Sequence, residues 1–391
     1  MYINSMTSAA SPAQTDVGVA GVGMYRFGRM ADVPLREMAY RAGTAAMQDA
    51  GVTFDQVGAV YVGHITQPLM TGVIVVKEFG LTGVPVQHIT NASATGSTAF
   101  REAYHAVAGG QCEIAMALAF DDMEAMPPPG ARSASVDGVI LPAAFFALWA
   151  RRRMEDHGTT AETFAEIAAK NWNHGALSPM AQRHADHLVT AEEVLASRMV
   201  ADPLTSKMSA AVGAGAAAAI VCTREVAERL RPDRPFVRVA ASALQTERYQ
   251  SDHVFVGPVT GASEMTRYTA TEAYERSGIG PEDLDLVQVH DAFPVEELGY
   301  YELLGVCGEA EGDELVRTGA TKLGGRIPFS TDGGLIGRGH PGGPTGLAQI
   351  WETTLQLRGE ATGRQVDGAR VGLCHMVGGG SVCAIHILVR D

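Results

Sequence analysis

Ser93 stands in ITNASATGSTAF (residues 89–100), between a short apolar strand end and a Thr-Gly step that opens a helix. A side chain held there meets the positive helix end and its free N–H groups, which favour a developing anion. Serine and threonine near helix starts are also common caps, and Thr95 can do that work alone. Two further stretches gather polar groups where strands should end. In VQVHDAF (287–293) an apolar run leads to His290 and Asp291, and TDGGLIGRGHPGGPTG (331–346) is a glycine-dense loop holding His340. HMVGGGS (375–381) adds His375 and another glycine turn. Two histidines and a hydroxyl meeting at one sheet end would make an acid/base and oxyanion site. Gly339, Gly342 and Gly379 in these loops allow the backbone to pass closely by a ligand, and are read as binding positions.

The elements that must carry these residues come in two copies. LREMAYRAGTAAMQDAGVTFDQVGAVYVGH (35–64) matches EMTRYTATEAYERSGIGPEDLDLVQVHD (264–291) without a gap when Gly51 is set against Gly278. Each reads as a helix, a glycine stop, an acidic residue (Asp55, Glu282) and a strand pairing Val57 with Leu284, Val60 with Val287 and Val62 with Val289. A second match sets 94–120 against 344–377, each a Thr-Gly helix start, a helix, a glycine loop and a buried strand. Starting strands are expected at 16–23 and 235–242. The repeat implies a duplicated α/β fold with parallel strands and helices on the sheet faces.

The expected organisation is a flexible tail over 1–15, an N-terminal half over 16–120 plus 210–235, an inserted loop domain over 121–209 and a C-terminal half over 236–391. The insertion is the natural place for a substrate lid. AAVGAGAAAAIVCT (210–223) fits a buried strand, and its small residues also fit a helix-packing face.

Composition removes other classes. The chain has 391 residues, 46% of them hydrophobic, and a formal charge of −14. That size suits two fused domains, and the charge opposes non-specific nucleic-acid binding. No apolar run reaches membrane-spanning length, and the N-terminus lacks the order of a signal peptide. Five cysteines without metal-like spacing suggest a reduced, cytoplasmic protein with no metal site.

In this order the motifs resemble the thiolase superfamily, in particular the sterol-carrier-protein-x or lipid-transfer-protein type. NASATGSTAF looks like its nucleophile loop, HDAF like its His-Asp-Cys-Phe motif, and GGLIGRGHPGGPTG like its Gly-His-Pro loop. HMVGGGS sits at its last glycine turn, and TTAETFAEIAAKNWNHG is similar to its loop-domain helix. The similarity covers nearly all of 16–391. It implies a five-layered αβαβα fold, usually dimeric, acting on coenzyme A thioesters with no permanently bound cofactor. In the family a cysteine takes the acyl group, and two histidines form an oxyanion site and assist proton transfer. By position these are Ser93, His290 and His340.

Ser93 therefore stands where the family has its cysteine, Ala292 at the motif cysteine, and Met376 where many thiolases place an acid/base cysteine. A thiol is a few per cent thiolate at neutral pH, whereas an alcohol needs a dedicated base. Ser93 is activated only if a histidine lies within about 3 Å. Three readings follow. The first is a thiolase-type acyltransferase using Ser93, whether the serine is natural or introduced. The second is a retro-aldolase on a β-hydroxyacyl-CoA, which needs no acyl-enzyme. Relatives of that kind use two tyrosines; Tyr249 is similar to one, and the other falls near the loop where this chain has His340. The third is a non-catalytic acyl-CoA-binding subunit, since relatives often work with a small zinc-ribbon and OB-fold protein. The intact histidine motifs favour the first.

Overall fold

The computed structural model describes residues 16–30, 32–125, 142–248, 253–254, 257–258 and 264–391. Nine strands share one sheet: β1 (Val17–Gly28), β2 (Ala59–Gly63), β3 (Val86–Ile89), β4 (Ile114–Asp122), β5 (Ala214–Thr223), β6 (Val237–Thr246), β7 (Leu286–Gln288), β8 (Val371–Gly378) and β9 (Val382–Arg390). Their order is β7-β8-β9-β6-β1-β5-β4-β2-β3. The helices that matter for the site are α1 (Leu35–Ala50), α2 (Thr95–Ala108), α3 (Ala161–Ala176), α4 (Met265–Ser277), α5 (Pro294–Leu303) and α6 (Thr345–Arg358).

The repeat is visible in this order. β1, β2, β4 and β5 have β6, β7, β8 and β9 as counterparts, read outward from the β1–β6 seam. The match extends to β3, whose counterpart is the single bridge of Phe329 to Val287. Helices α1 and α4 both stop at a glycine with positive φ, Gly51 (73°) and Gly278 (69°). That left-handed cap turns the chain out of each helix toward β2 and β7.

Among the described residues the two sheet halves pair through Gly18–Arg238 and Val19–Val237 only. Beyond that seam they form two layers, because α2 and α6 pack against strands of both halves. Helix α1 covers β1, β4 and β5 from outside, and α4 covers β6 and β9. The result is the expected five-layered αβαβα stack. Helix α1 buries one stripe, Met38, Ala39, Ala42, Ala46 and Ala50, as a surface helix should. Helix α6 is buried all round, which follows from its place between two sheets.

Two expectations change. The sheet is mixed rather than parallel: β2–β3, β2–β4 and β7–β8 are parallel, and the other neighbours antiparallel. The β8–β9 connection is a tight turn through Gly379 and Gly380, which admits only antiparallel pairing. The alanine-rich run after 210 is strand β5, buried along nearly its whole length with α1 and α6 packed against it. Its small side chains let those helices approach, so both sequence features belong to one strand.

Candidate active site

Strand β3 ends at Ile89, and the chain turns through Asn91 and Ala92, whose φ is +47°. The turn is closed by Ala94 N–H to Asn91 O (3.0 Å) and Thr95 N–H to Ala92 O (3.0 Å). The Thr95 hydroxyl accepts from Asn91 N–H at 2.8 Å, and no side chain caps α2. Ser93 is thus spared capping duty. Its Oγ lies 3.1 Å from Nε2 of His340.

His340 is fixed by its backbone N–H to Ala211 O (2.7 Å) and by Nδ1 at 2.9 Å from the Thr345 hydroxyl. Desolvation, with His290 and Arg338 nearby, holds its pKa well below the ordinary value, so the ring is neutral at physiological pH. The His290 ring stands edge-on to it, with centroids 5.5 Å apart. His290 follows β7, is 7% exposed, and sets Nδ1 3.0 Å from Oε1 of Glu296 on α5.

The glycine-dense loop is held by buried carboxylates. Asp291 accepts from the N–H groups of Leu335 (2.7 Å) and Ile336 (3.4 Å), and from the Asn171 amide on α3 (2.8 Å). A Cβ on Gly334 would lie 2.4 Å from the Asp291 oxygens, so the glycine admits the carboxylate. Burial, and then the nearby Glu297, push the Asp291 pKa well up. Glu297 in turn accepts from Asn171, Lys170 and Tyr301. Asp121, at the end of β4, accepts from Ile65, Thr66 and Gly343 N–H.

Helices α2 and α6 begin side by side. Gly96 N–H donates to Gly343 O at 2.9 Å, and a Cβ on Gly346 would lie 2.2 Å from Ser97 Oγ. Only glycine permits that approach. Two positive helix ends therefore converge beside Ser93, where negative charge on oxygen is favoured.

The structure thus brings Ser93, His290 and His340 together. Gly339, Gly342 and Gly379 all have positive φ, and added Cβ atoms at the first two would crowd Gln182 and Met123. Tyr249 lies outside the described residues. His375 is turned to α4 and α5, bonding Thr266 at 3.0 Å with its ring tilted 59° against that of Tyr300. Cys374 bonds Thr353 on α6, and burial pushes its thiol, like those of Cys222, Cys307 and Cys383, up to about 12. Sequence reasoning missed Glu296, Thr345, Asn171 and Asp121. Two carried a local signal: Thr345 stands in the second Thr-Gly helix start, and Glu296 falls in the first turn after Pro294, where it accepts from Phe293 N–H. Among the described residues no cluster of three or more His, Cys, Asp or Glu side chains could hold a metal ion.

A duplicated αβαβα fold brings a hydroxyl, two histidines and two helix ends to one point, groups that can exchange protons and favour charge on oxygen. Residues 17–225 match the thiolase N-terminal domain, and residues 251–390 the thiolase C-terminal domain-like family. The chain belongs to the thiolase superfamily. It is 35% identical to an acetyl-CoA acetyltransferase of Methanothermobacter thermautotrophicus, over 96% of this chain and 100% of that protein. It is equally identical to the benzoylsuccinyl-CoA thiolase subunit BbsB of Thauera aromatica, over 93% and 95%. Sterol carrier protein 2 of Homo sapiens is 34% identical over 94% of this chain and 70% of that protein. Among solved structures, the Ltp2-ChsH2(DUF35) aldolase superposes with a TM-score of 0.83 at 24% identity, covering 96% of this chain and 98% of that one.

Proposed function

We propose that this chain catalyses Claisen-type carbon–carbon bond exchange on acyl-CoA thioesters, with Ser93 as acyl acceptor. The carrying observation is the 3.1 Å contact between Ser93 Oγ and His340 Nε2, which supplies the base that a serine requires. In the cleavage direction Ser93 Oγ attacks the β-carbonyl of a 3-oxoacyl-CoA, and its proton passes to His340 Nε2. The helix ends beside Ser93 favour the oxyanion. Its collapse breaks the Cα–Cβ bond, the electron pair enters the thioester enolate, and His290, which enters the cycle protonated on both nitrogens, gives its Nε2 proton to Cα and keeps the one on Nδ1. A second CoA thiol then gives its proton to His290 and attacks the seryl ester. As the C–O bond breaks, the His340 proton goes back to Ser93. No resident cofactor is needed.

Retro-aldol cleavage of a β-hydroxyacyl-CoA is the second reading. It is favoured by the His290–Glu296 pair, a base that works without a nucleophile. There His290 takes the substrate hydroxyl proton at Nε2, the Cα–Cβ bond breaks to release an aldehyde or ketone, and the same proton is returned to Cα of the thioester enolate. The sterol-carrier-protein-x type is the branch we favour, given the 34% identity to sterol carrier protein 2. A homodimer is supported by the open edge strand β3 and the exposed Leu69, Met70, Ile74 and Leu81. Partnership with a small zinc-ribbon and OB-fold protein is supported by relatives named as a subunit and as an aldolase with a DUF35 partner. Five unpaired cysteines support a reducing, cytoplasmic setting.

The test is acid quenching with a 3-oxoacyl-CoA, followed by mass analysis of the Ser93 peptide. Thiolysis and aldol cleavage are compared in parallel for wild type and Ser93→Cys. A trapped seryl ester, with thiolysis raised by orders of magnitude in Ser93→Cys, supports acyl transfer. No ester, together with aldol cleavage that is insensitive to Ser93→Cys and lost in Tyr249→Phe, replaces it with the second reading. Acyl-CoA binding without either reaction refutes both and leaves a non-catalytic subunit.

A further inference from the structure

The two histidines of the site are anchored by chemically different groups. His340 Nδ1 faces a hydroxyl, Thr345 Oγ1 at 2.9 Å, which can donate or accept. Either tautomer of His340 therefore keeps its bond, and Nε2 can serve Ser93 as base or as donor. His290 Nδ1 faces Glu296 Oε1 at 3.0 Å. Tyr300 OH also meets Oε1 (3.1 Å), and Phe293 N–H meets Oε2 (3.3 Å). Those two partners are donors: a backbone amide, and a phenol whose pKa is pushed far up by burial and by Glu296 itself. A carboxylate ringed by donors only accepts. We infer that Glu296 is a positioning residue that keeps a proton on His290 Nδ1, so that Nε2 is the nitrogen that exchanges protons with the substrate.

The inference rests on the assignment of proton transfer to His290, and it holds for either reaction above. It also names a division of labour. Thr345 lets either nitrogen of His340 carry the resting hydrogen, whereas Glu296 commits His290 to one tautomer. Glu296 is 2% exposed, and its shell dictates what an amide would do in its place. In Glu296→Gln the amide oxygen is drawn to the Oε2 position, where Phe293 N–H needs an acceptor. The NH2 then points at His290 Nδ1 and donates to it. The ring must move its proton to Nε2, and a base becomes a donor.

The experiment reads the tautomer and the chemistry separately. Protein labelled with nitrogen-15 in histidine, with His290→Gln to assign the signal, reports which ring nitrogen carries hydrogen. Exchange of acyl-CoA α-hydrogens with D2O reports proton transfer without any need for Ser93. Wild type should show Nδ1–H at His290. Glu296→Gln should show Nε2–H and lose about 10²–10⁴-fold in exchange, the usual contribution of a positioned base. Glu296→Asp keeps a carboxylate and should keep both the Nδ1–H signal and most of the exchange. The inference is overturned if Glu296→Gln retains Nδ1–H, or if Glu296→Asp fails as badly as Gln while remaining folded. If wild type exchanges no α-hydrogen, the role given to His290 falls, and the tautomer spectra still decide what Glu296 does.

Discussion

Removing one oxygen atom separates the two reactions by orders of magnitude. In Ser93→Ala the Oγ contact with His340 Nε2 disappears, the one side-chain bond of that hydroxyl among the described residues. If Ser93 carries the acyl group, its loss removes the nucleophile. In a serine enzyme that step is worth about 10⁶-fold in kcat. If the enzyme is a retro-aldolase, the same change deletes one hydrogen bond at a partly accessible site. That costs about 0.5–1.5 kcal/mol, or roughly 2- to 12-fold. The methyl group fits without strain, because alanine is smaller than serine and the hydrogen bonds that close the turn around residue 93 are backbone bonds. Steady-state thiolysis of a 3-oxoacyl-CoA, followed at the thioester enolate absorbance, gives the number, and binding of a non-cleavable acyl-CoA confirms an intact site. Thiolysis by Ser93→Ala within tenfold of wild type would refute the nucleophilic role.

Two further outcomes follow from the buried polar web. Asp291→Ala leaves the Leu335 N–H and one of the two N–H groups of the Asn171 amide without an acceptor, so stability should fall by about 2–4 kcal/mol in urea titration. Activity should fall with it, as the loop carrying His340 loosens; an unchanged midpoint would show that other groups hold the loop. His386 is buried, with Nδ1 on Ser242, and burial pushes its pKa down to about 3. Its folded pKa is depressed, so the unfolded chain takes up the proton first, and the stabilising contribution present above about pH 6.5 is lost as pH falls. His386→Gln should therefore lose about 2 kcal/mol less than wild type between pH 7 and about pH 5. Equal losses in both proteins would mean that His386 titrates normally.

The repeat was legible because its punctuation is chemical. Gly51 and Gly278 are the stops, and the Thr-Gly pairs at 95–96 and 345–346 mark the helices that must begin in contact. Ser93, His290 and His340 could be read as strand-end residues for the same reason, although the 3.1 Å distance between the first and last could not. The supporting shell was hidden because its partners are set by folding. Asn171 and Asp291 are 120 residues apart and share one bond, and nothing near Lys170 announces that Glu297 will neutralise it. Sheet direction was misjudged because strand runs record burial and not which neighbour lies alongside.

The twofold relation between α2 and α6 sets Ser93 and Gly343 at matching places, each two residues before the first threonine of its helix. They are used in opposite ways. Gly343 can hold no side chain, since a Cβ there would lie 2.4 Å from Asp121 Oδ2, and its carbonyl serves the start of the other helix. A pair of identical half-length chains could not make that choice, because whatever residue one copy carried the other would carry too. Fusion of the copies removed the constraint, leaving one half to offer the Ser93 hydroxyl and the other to supply His340 and the backbone against which it rests. The symmetry that built the scaffold had to be broken in sequence for the scaffold to hold one working centre instead of two crowded ones.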